Sequence, residues 1–176
     1  MKRGPACYLG VVLGLVLVEA VCPAAAQMAA ASQPAASPQA DALARDFFVL
    51  IEQGDATKFL SYVSEQGINV GPQASHLGRA EVEQQLLHHR GLYCTLFDSS
   101  CIRKEIKLDA SSRACSYREL LTHSGKVRRA ATETVRSGVR QAILVAEVQN
   151  DECRNTRLID FIFNYEPGGW KLFSVP

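Results

Sequence analysis

Residues 158–175 read LIDFIFNYEPGGWKLFSV, two apolar segments on either side of a Gly-Gly pair. In the first segment, large apolar side chains alternate with smaller or polar ones, which is the period of a β-strand with one buried face. Gly168-Gly169 is typical of a hairpin turn. The stretch therefore predicts an antiparallel hairpin whose aromatic face packs against helices. That face contains Ile159, Phe161, Phe163 and Tyr165, and the opposite face contains Leu158, Asp160, Ile162 and Asn164.

Two more strands are predicted before this hairpin. Residues 127–136, VRRAATETVR, and residues 140–149, RQAILVAEVQ, are separated by Ser137-Gly138, a second hairpin-type turn. Consecutive strands with tight links predict an antiparallel meander. Further upstream, IRKEIKL at residues 102–108 alternates weakly and is interpreted as another strand.

The N-terminal half has helical periodicity instead. Residues 41–53, DALARDFFVLIEQ, and residues 56–66, ATKFLSYVSEQ, carry apolar side chains at helical spacing. Between them, Gly54 fits a helix stop and Asp55 fits the N-cap of the next helix. A third helix is predicted from Arg79 to about Arg90. Helices followed by strands predict an α+β domain, with N-terminal helices packed on a curved antiparallel β-sheet.

The third helix carries the residues with the most suggestive chemistry. If it continues past Gly91, then Val82, Leu86, His89 and Tyr93 fall within a narrow arc of its surface. His89 is then either a histidine at the edge of the core, satisfied by one hydrogen bond, or part of a ligand-pocket wall together with Tyr93.

The chain begins with the features of a secretory signal. Lys2 and Arg3 are followed by an apolar run over residues 8–18 and by small residues up to Ala26, where cleavage is expected. The run is shorter than the roughly 20 apolar residues that span a membrane. A lipoprotein with Cys22 as the lipidated residue is the minor alternative. The predicted organisation is a signal peptide at residues 1–26, a flexible linker rich in Ala, Ser, Pro and Gln at 27–40, and the α+β domain at 41–176.

The charge balance excludes some partners. Cleavage removes Lys2, Arg3 and Glu19 from totals of 19 basic and 18 acidic residues, which leaves 17 of each. A net charge of zero argues against binding to nucleic acid or to anionic membranes. Because of the signal-like N-terminus, the protein is expected in the periplasm or outside the cell, without membrane attachment after cleavage. No cofactor is expected. A homodimer is left open.

Four cysteines remain after cleavage. An even count in an exported protein points to disulfides, whereas in the cytosol it would point to metal or redox chemistry. Three pairings are open, and the sequence does not fix which one forms. The most local choice joins Cys94 to Cys101 and leaves Cys115 to pair with Cys153.

A metal site would recruit His88, His89, Cys94 and Cys101. Adjacent histidines point about 100° apart on a helix, and six residues between the cysteines exceed the spacing of a zinc knuckle. The sequence therefore predicts no metal. It also lacks a C-x-x-C motif, a phosphate-binding glycine loop, a G-x-S-x-G elbow and an H-E-x-x-H motif.

Two stretches resemble the nuclear-transport-factor-2-like superfamily, which includes ketosteroid isomerase and SnoaL-like cyclases. Residues 44–70, ARDFFVLIEQGDATKFLSYVSEQGINV, resemble its opening helix, "GD" step, second helix and short strand. Residues 158–175 resemble its closing hairpin with a "GGW" turn. The resemblance implies a cone-like fold with a pocket between the helices and the concave sheet. The residues expected in that pocket are His89, Tyr93, Phe161 and Phe163.

Three functional hypotheses follow. The first is non-enzymatic binding of a small apolar ligand or a protein partner, with no catalytic residue assigned. The second is an acid–base isomerase, cyclase or dehydratase in which His89 is the general base and Tyr93 donates a hydrogen bond to an enolate. Asp160 is not expected to act as the base, because it lies opposite the aromatic face. The third is an anion-binding surface on the basic stretch 113–140, for which solvated side chains balanced by acids elsewhere are the favoured explanation.

Overall fold

The computed structural model describes residues 37–105, 114–150, 153 and 158–176, all within the compact unit Ser32–Pro176. The expected signal peptide and most of the expected linker lie outside these residues and remain predictions. No helix in the described ranges is long and apolar enough to cross a membrane.

A six-stranded sheet forms one layer of the domain. The four long strands are β3 (Lys126–Arg136), β4 (Val139–Gln149), β5 (Leu158–Glu166) and β6 (Gly169–Val175), and they form the predicted antiparallel meander. Two short strands, β1 (Ile68–Val70) and β2 (Ser75–Leu77), extend the sheet in the order β2-β1-β6-β5-β4-β3. β1 runs parallel to β6, so the sheet is mostly rather than entirely antiparallel.

The predicted division of β5 into two faces is confirmed at its centre. Ile159, Phe161 and Phe163 are fully buried, whereas Asp160 lies on the opposite face and is only partly buried. Tyr165 belongs to the same face as the phenylalanines but is 48% exposed. The fully buried part of this face therefore ends at Phe163. Tyr165, close to the hairpin turn, lies at the surface.

Six helices belong to the described ranges, and the first of them packs on β3 and β4. They are α1 (Pro38–Gln53), α2 (Ala56–Tyr62), α3 (Arg79–Leu87), α4 (Leu92–Phe97), α5 (Ser99–Glu105) and α6 (Tyr117–Thr122). The protein is therefore an α+β domain with an open, curved sheet and a cone-like arrangement, as the sequence predicted.

Helix α1 begins earlier than expected. Its first residue is Pro38, which suits the first helical position because that N–H needs no partner, and Ala40 is fully buried. The last three residues of the expected linker are therefore helical. Its end follows the prediction, since Gly54 has a φ of 73° and the Asp55 amide donates to Leu50 O at 3.1 Å.

Two other segments differ from the prediction. α2 ends at Tyr62, four residues early, because Val63 is extended and bridges to Leu172 of β6. The segment expected as a strand from residue 102 instead begins inside helix α5. Asp98 explains this helix, because its Oδ1 accepts hydrogen bonds from the amides of Ser100 at 2.9 Å and Cys101 at 3.3 Å.

Two disulfides confirm the more local of the three pairings. Cys94–Cys101 joins α4 to α5, and Cys115–Cys153 joins the residue before the N-cap of α6 to the connection between β4 and β5. The first closes a sequence separation of 7 residues and the second one of 38. The long bridge thus attaches a helix to the sheet.

Candidate functional site

The surface around His89 differs from the continuous helix that the sequence suggested. α3 ends at Leu87, and His89 has a positive φ of 50°. The chain restarts as α4 at Leu92, whose amide donates to the side-chain oxygen of Gln85 at 2.7 Å. His89 is exposed, and its ring stacks on Tyr93 with centroids 4.0 Å apart. The two residues are neighbours, as expected, but through a turn at the surface rather than one helical face.

A chain of aromatic contacts connects this surface to the centre of the core. Tyr93 contacts Phe97, which contacts Phe59, which contacts Phe47, at centroid distances of 5.4, 6.2 and 5.9 Å. The Phe47 ring then meets Phe161 and Phe163, each at 4.9 Å. The four expected pocket residues are therefore parts of one aromatic cluster. Phe161 and Phe163 have no exposed surface, so they act there as core residues.

The cysteines near His89 do not offer metal ligands in this state. The sulfurs of Cys94 and Cys101 and a carboxylate oxygen of Glu105 lie within 4.8 Å of one another. Both sulfurs are committed to the disulfide, however, and metals bind the thiolate. Glu105 accepts a hydrogen bond from the Gly91 amide at 2.8 Å, which fixes the turn before α4.

The basic stretch is largely matched by acceptors from other elements. Arg128 pairs with Glu147 at 3.6 Å, and Arg129 pairs with Glu52 of α1. Arg118 donates to the Glu52 carbonyl at 3.1 Å. These contacts favour the explanation of a balanced, solvated surface over an anion-binding site. Arg113 lies outside the described residues.

A cleft of about 580 Å³ lies between the first turns of α1, the end of α2 and the β5–β6 hairpin. We call it the Trp170 cleft. The sequence did not predict this site because its walls come from three separate segments. One signal was available: Tyr165 and Trp170 flank the hairpin turn and pair directly across it. The side chains that define the cleft are Gln39, Asp46, Tyr62, Tyr165, Trp170 and Lys171.

One wall of the Trp170 cleft is aromatic and is contacted by a cationic side chain. Tyr165 and Trp170 meet edge to face at 5.1 Å, and the guanidinium of Arg140 lies over both rings, at 4.8 and 5.1 Å from their centroids. Arg140 itself is held by Glu133 and by Gln39, the latter at 2.8 Å. Hydrogen bonding from Arg140 lowers the pKa of the Glu133 carboxyl, so this pair stays ionised at neutral pH.

Much of the remaining lining of the cleft is polar. Burial, and then the nearby charge of Asp46, raise the pKa of the Tyr62 phenol, so this group stays protonated. Asp46 is exposed, and its carboxylate makes no hydrogen bond or ion pair with the described residues. Lys171 Nζ donates to the Ser61 carbonyl at 2.9 Å. The cleft therefore combines an aromatic surface with donors and acceptors that a ligand can reach.

Comparisons with known proteins leave the family open. No protein-family model matches this chain, and no curated protein matches it. A solved structure of an NTF2-like family protein from Streptomyces avermitilis, described as a candidate dehydratase, is 16% identical, with a TM-score of 0.35. The match covers 76% of this chain and 88% of that one. Similarity at this level does not assign the chain to that family.

Proposed function

We propose that this protein is an exported, disulfide-stabilised binding domain and that the Trp170 cleft is its ligand site. The observation that carries the proposal is the lining of this open cleft of about 580 Å³, in which partly exposed aromatic rings and polar side chains lie together. Arg140 contacts both rings of its aromatic wall, at 4.8 and 5.1 Å from their centroids.

Two disulfides support export, since such bonds persist mainly in oxidising compartments. The signal-like sequence at residues 1–26 points the same way. Together these features suit a domain that works in the periplasm or outside the cell.

The acid–base alternative has less support. His89 is exposed and stacked on Tyr93, and neither residue lines the Trp170 cleft. A general base must reach the proton that it removes in a bound substrate. Among the described residues, none of the three clefts has His89 or Tyr93 in its wall.

The test is a native mass spectrum of the protein exported and purified without reductant. Loss of four hydrogens and absence of residues 1–26 are expected, together with a non-covalent mass released on denaturation. Trp170→Ala should lose this mass. Phe173→Ala is the matched control, because Phe173 is an exposed aromatic residue of the same strand outside the cleft, and it should retain the mass. Absence of a bound mass from the wild type, or equal retention by both variants, would contradict the proposal.

A further inference from the structure

We infer that Cys94, Cys101 and Glu105 form a binding site for a thiophilic divalent cation such as Zn²⁺ when the Cys94–Cys101 disulfide is reduced. The ligand atoms of these residues, two sulfurs and one carboxylate oxygen, all lie within 4.8 Å of one another. None of the three residues lines the Trp170 cleft, so this site is separate from the proposed ligand site.

Two consecutive helices bring the three side chains together. Cys101 and Glu105 are four residues apart on α5, a spacing that puts both side chains on one face of a helix and that paired metal ligands on helices also use. Cys94 comes from α4, and its Cα lies 5.1 Å from that of Cys101. The prediction of no metal rested on the spacing of His88, His89 and the cysteines, whereas the structure brings Glu105 to the cysteines instead.

The turn between α3 and α4 borders this cluster. The Gly91 amide donates to Glu105 Oε1 at 2.8 Å, and because a carboxylate has two oxygens, the second is left for a cation. The backbone carbonyl oxygen of His89 lies 3.2 Å from Cys101 Sγ and 3.6 Å from Cys94 Sγ. Glu105 is exposed and Cys101 is partly exposed, so a cation reaches the cluster from solvent.

The donor set selects the kind of cation. Two thiolates and one carboxylate suit Zn²⁺, which binds sulfur and carboxylate oxygen tetrahedrally and takes water as the fourth ligand where the protein supplies three. With Zn–S bonds of about 2.3 Å, two thiolates on one tetrahedral Zn²⁺ lie roughly 3.8 Å apart. That separation is within the span of the cluster. Mg²⁺ and Ca²⁺ prefer sites made of oxygen atoms alone.

The disulfide and the bound cation exclude each other. A dithiol reductant transfers two electrons and two protons to the Cys94–Cys101 bond, which becomes two thiols while the reductant becomes a disulfide. Each thiol then loses its proton to water as it binds the cation as a thiolate. Cys101 is partly exposed and its sulfur is open to attack, whereas Cys115 and Cys153 of the other disulfide are both buried.

The test uses the full exported protein, reduced with tris(carboxyethyl)phosphine and alkylated with iodoacetamide in the presence or absence of Zn²⁺. Mass mapping of peptides gives the alkylation rate of each cysteine. We expect Zn²⁺ to slow alkylation of Cys94 and Cys101 about tenfold or more, with Cys115 and Cys153 changed less than twofold. Mg²⁺ should protect none of them.

Three results would overturn the inference without any variant. The first is equal alkylation of Cys94 and Cys101 with and without Zn²⁺. The second is equal protection of all four cysteines, which indicates binding to thiols in general. The third is loss of the far-ultraviolet circular dichroism of the fold on reduction, because the site needs α4 and α5 in place.

Glu105→Gln tests the third ligand. Glutamine keeps an oxygen for the Gly91 amide but loses the charge of the carboxylate, so the Zn²⁺ affinity of the reduced protein should fall about tenfold or more. Glu83→Gln changes an exposed glutamate of α3 outside the cluster and should stay within twofold of the wild type. Competition with a colorimetric zinc chelator measures these affinities. Equal affinity in Glu105→Gln and the wild type would overturn the inference.

Discussion

The ring of Tyr62 meets the ring of Phe163 edge-on, with centroids 5.8 Å apart and planes at 89°. Tyr62 borders the Trp170 cleft, whereas Phe163 has no exposed surface. A side chain that lines the proposed ligand site thus rests directly on a core residue. Phe163, which was expected in a pocket, is a core residue that supports Tyr62 from beneath.

Phe163→Ala should lower the free energy of unfolding by about 3–5 kcal/mol, because it leaves a cavity among Phe47, Tyr62 and the sheet. Urea unfolding followed by circular dichroism measures this loss. Phe173→Ala is the control on the neighbouring strand. Since Phe173 is 41% exposed, its truncation should cost far less, about 1 kcal/mol or below. Equal losses in the two variants would contradict the burial of Phe163.

The two disulfides should differ in their contribution to stability. In the chain-entropy model, Cys115→Ala/Cys153→Ala removes about 4 kcal/mol and Cys94→Ala/Cys101→Ala about 2.5 kcal/mol, because the first bridge closes the longer loop. Urea midpoints of the two double variants, compared at equal slope, give the order. A larger loss from the short bridge would show that strain or residual unfolded structure outweighs loop entropy.

Because the phenol of Tyr117 is buried, we expect the free energy of unfolding to fall at alkaline pH. Burial raises the pKa of its phenol to about 12, and its hydroxyl donates to the Pro176 carbonyl at 2.8 Å. Because the folded pKa lies above the unfolded value of about 10, the stabilisation is complete below pH 10 and is lost as the pH rises towards 12. Between pH 8 and pH 11, ionisation of this group should cost the wild type roughly 1 kcal/mol of stability.

Tyr117→Phe should lose its pH-independent hydrogen bond but show a smaller decrease between pH 8 and pH 11, by about that amount. Urea unfolding of both proteins at the two pH values provides the comparison. The same pH dependence in wild type and variant would exclude Tyr117 as its source.

Alanine substitutions at Gly67 and Gly71 should distinguish the stability cost of backbone strain from that of a steric clash. Both have positive φ, 94° and 73°. A Cβ at Gly67 would lie 2.0 Å from the Leu77 carbonyl oxygen, whereas one at Gly71 meets nothing within 4 Å. Gly71→Ala should therefore cost about 1 kcal/mol, the strain of a left-handed alanine. Gly67→Ala should cost clearly more, because the backbone segments around Gly67 and Leu77 must move apart. Thermal unfolding measures both losses. Equal losses would contradict the close approach of these two segments.

The fold could be predicted where periodicity is local. Alternation in β5 identified the buried face of Ile159, Phe161 and Phe163, and the most local of the three open cysteine pairings is the one that forms. The interruption between α3 and α4 could not be predicted in this way. It depends on the side chain of Gln85, which accepts from the Leu92 amide seven residues later.

The sequence at the start of α5 contains a helix-capping signal that the weak alternation after Cys101 outweighed in the strand prediction. Asp98-Ser99-Ser100 is a capping sequence, and the Asp98 side chain does cap the helix. The Trp170 cleft is the opposite case. Asp46, Tyr62 and Trp170 come together only after the helices dock on the sheet, so no spacing along the chain reveals them.

Strand β3 is at the edge of the sheet, and it spans 11 residues. An edge strand of that length is a template for uncontrolled pairing between molecules, because its free amide and carbonyl groups can bind another strand. Lys126, Arg128 and Arg136 are exposed along it. Two molecules that approach edge to edge would bring these cations together. The basic residues of this strand thus disfavour edge-to-edge pairing of two molecules, and their neutralisation would remove that electrostatic barrier.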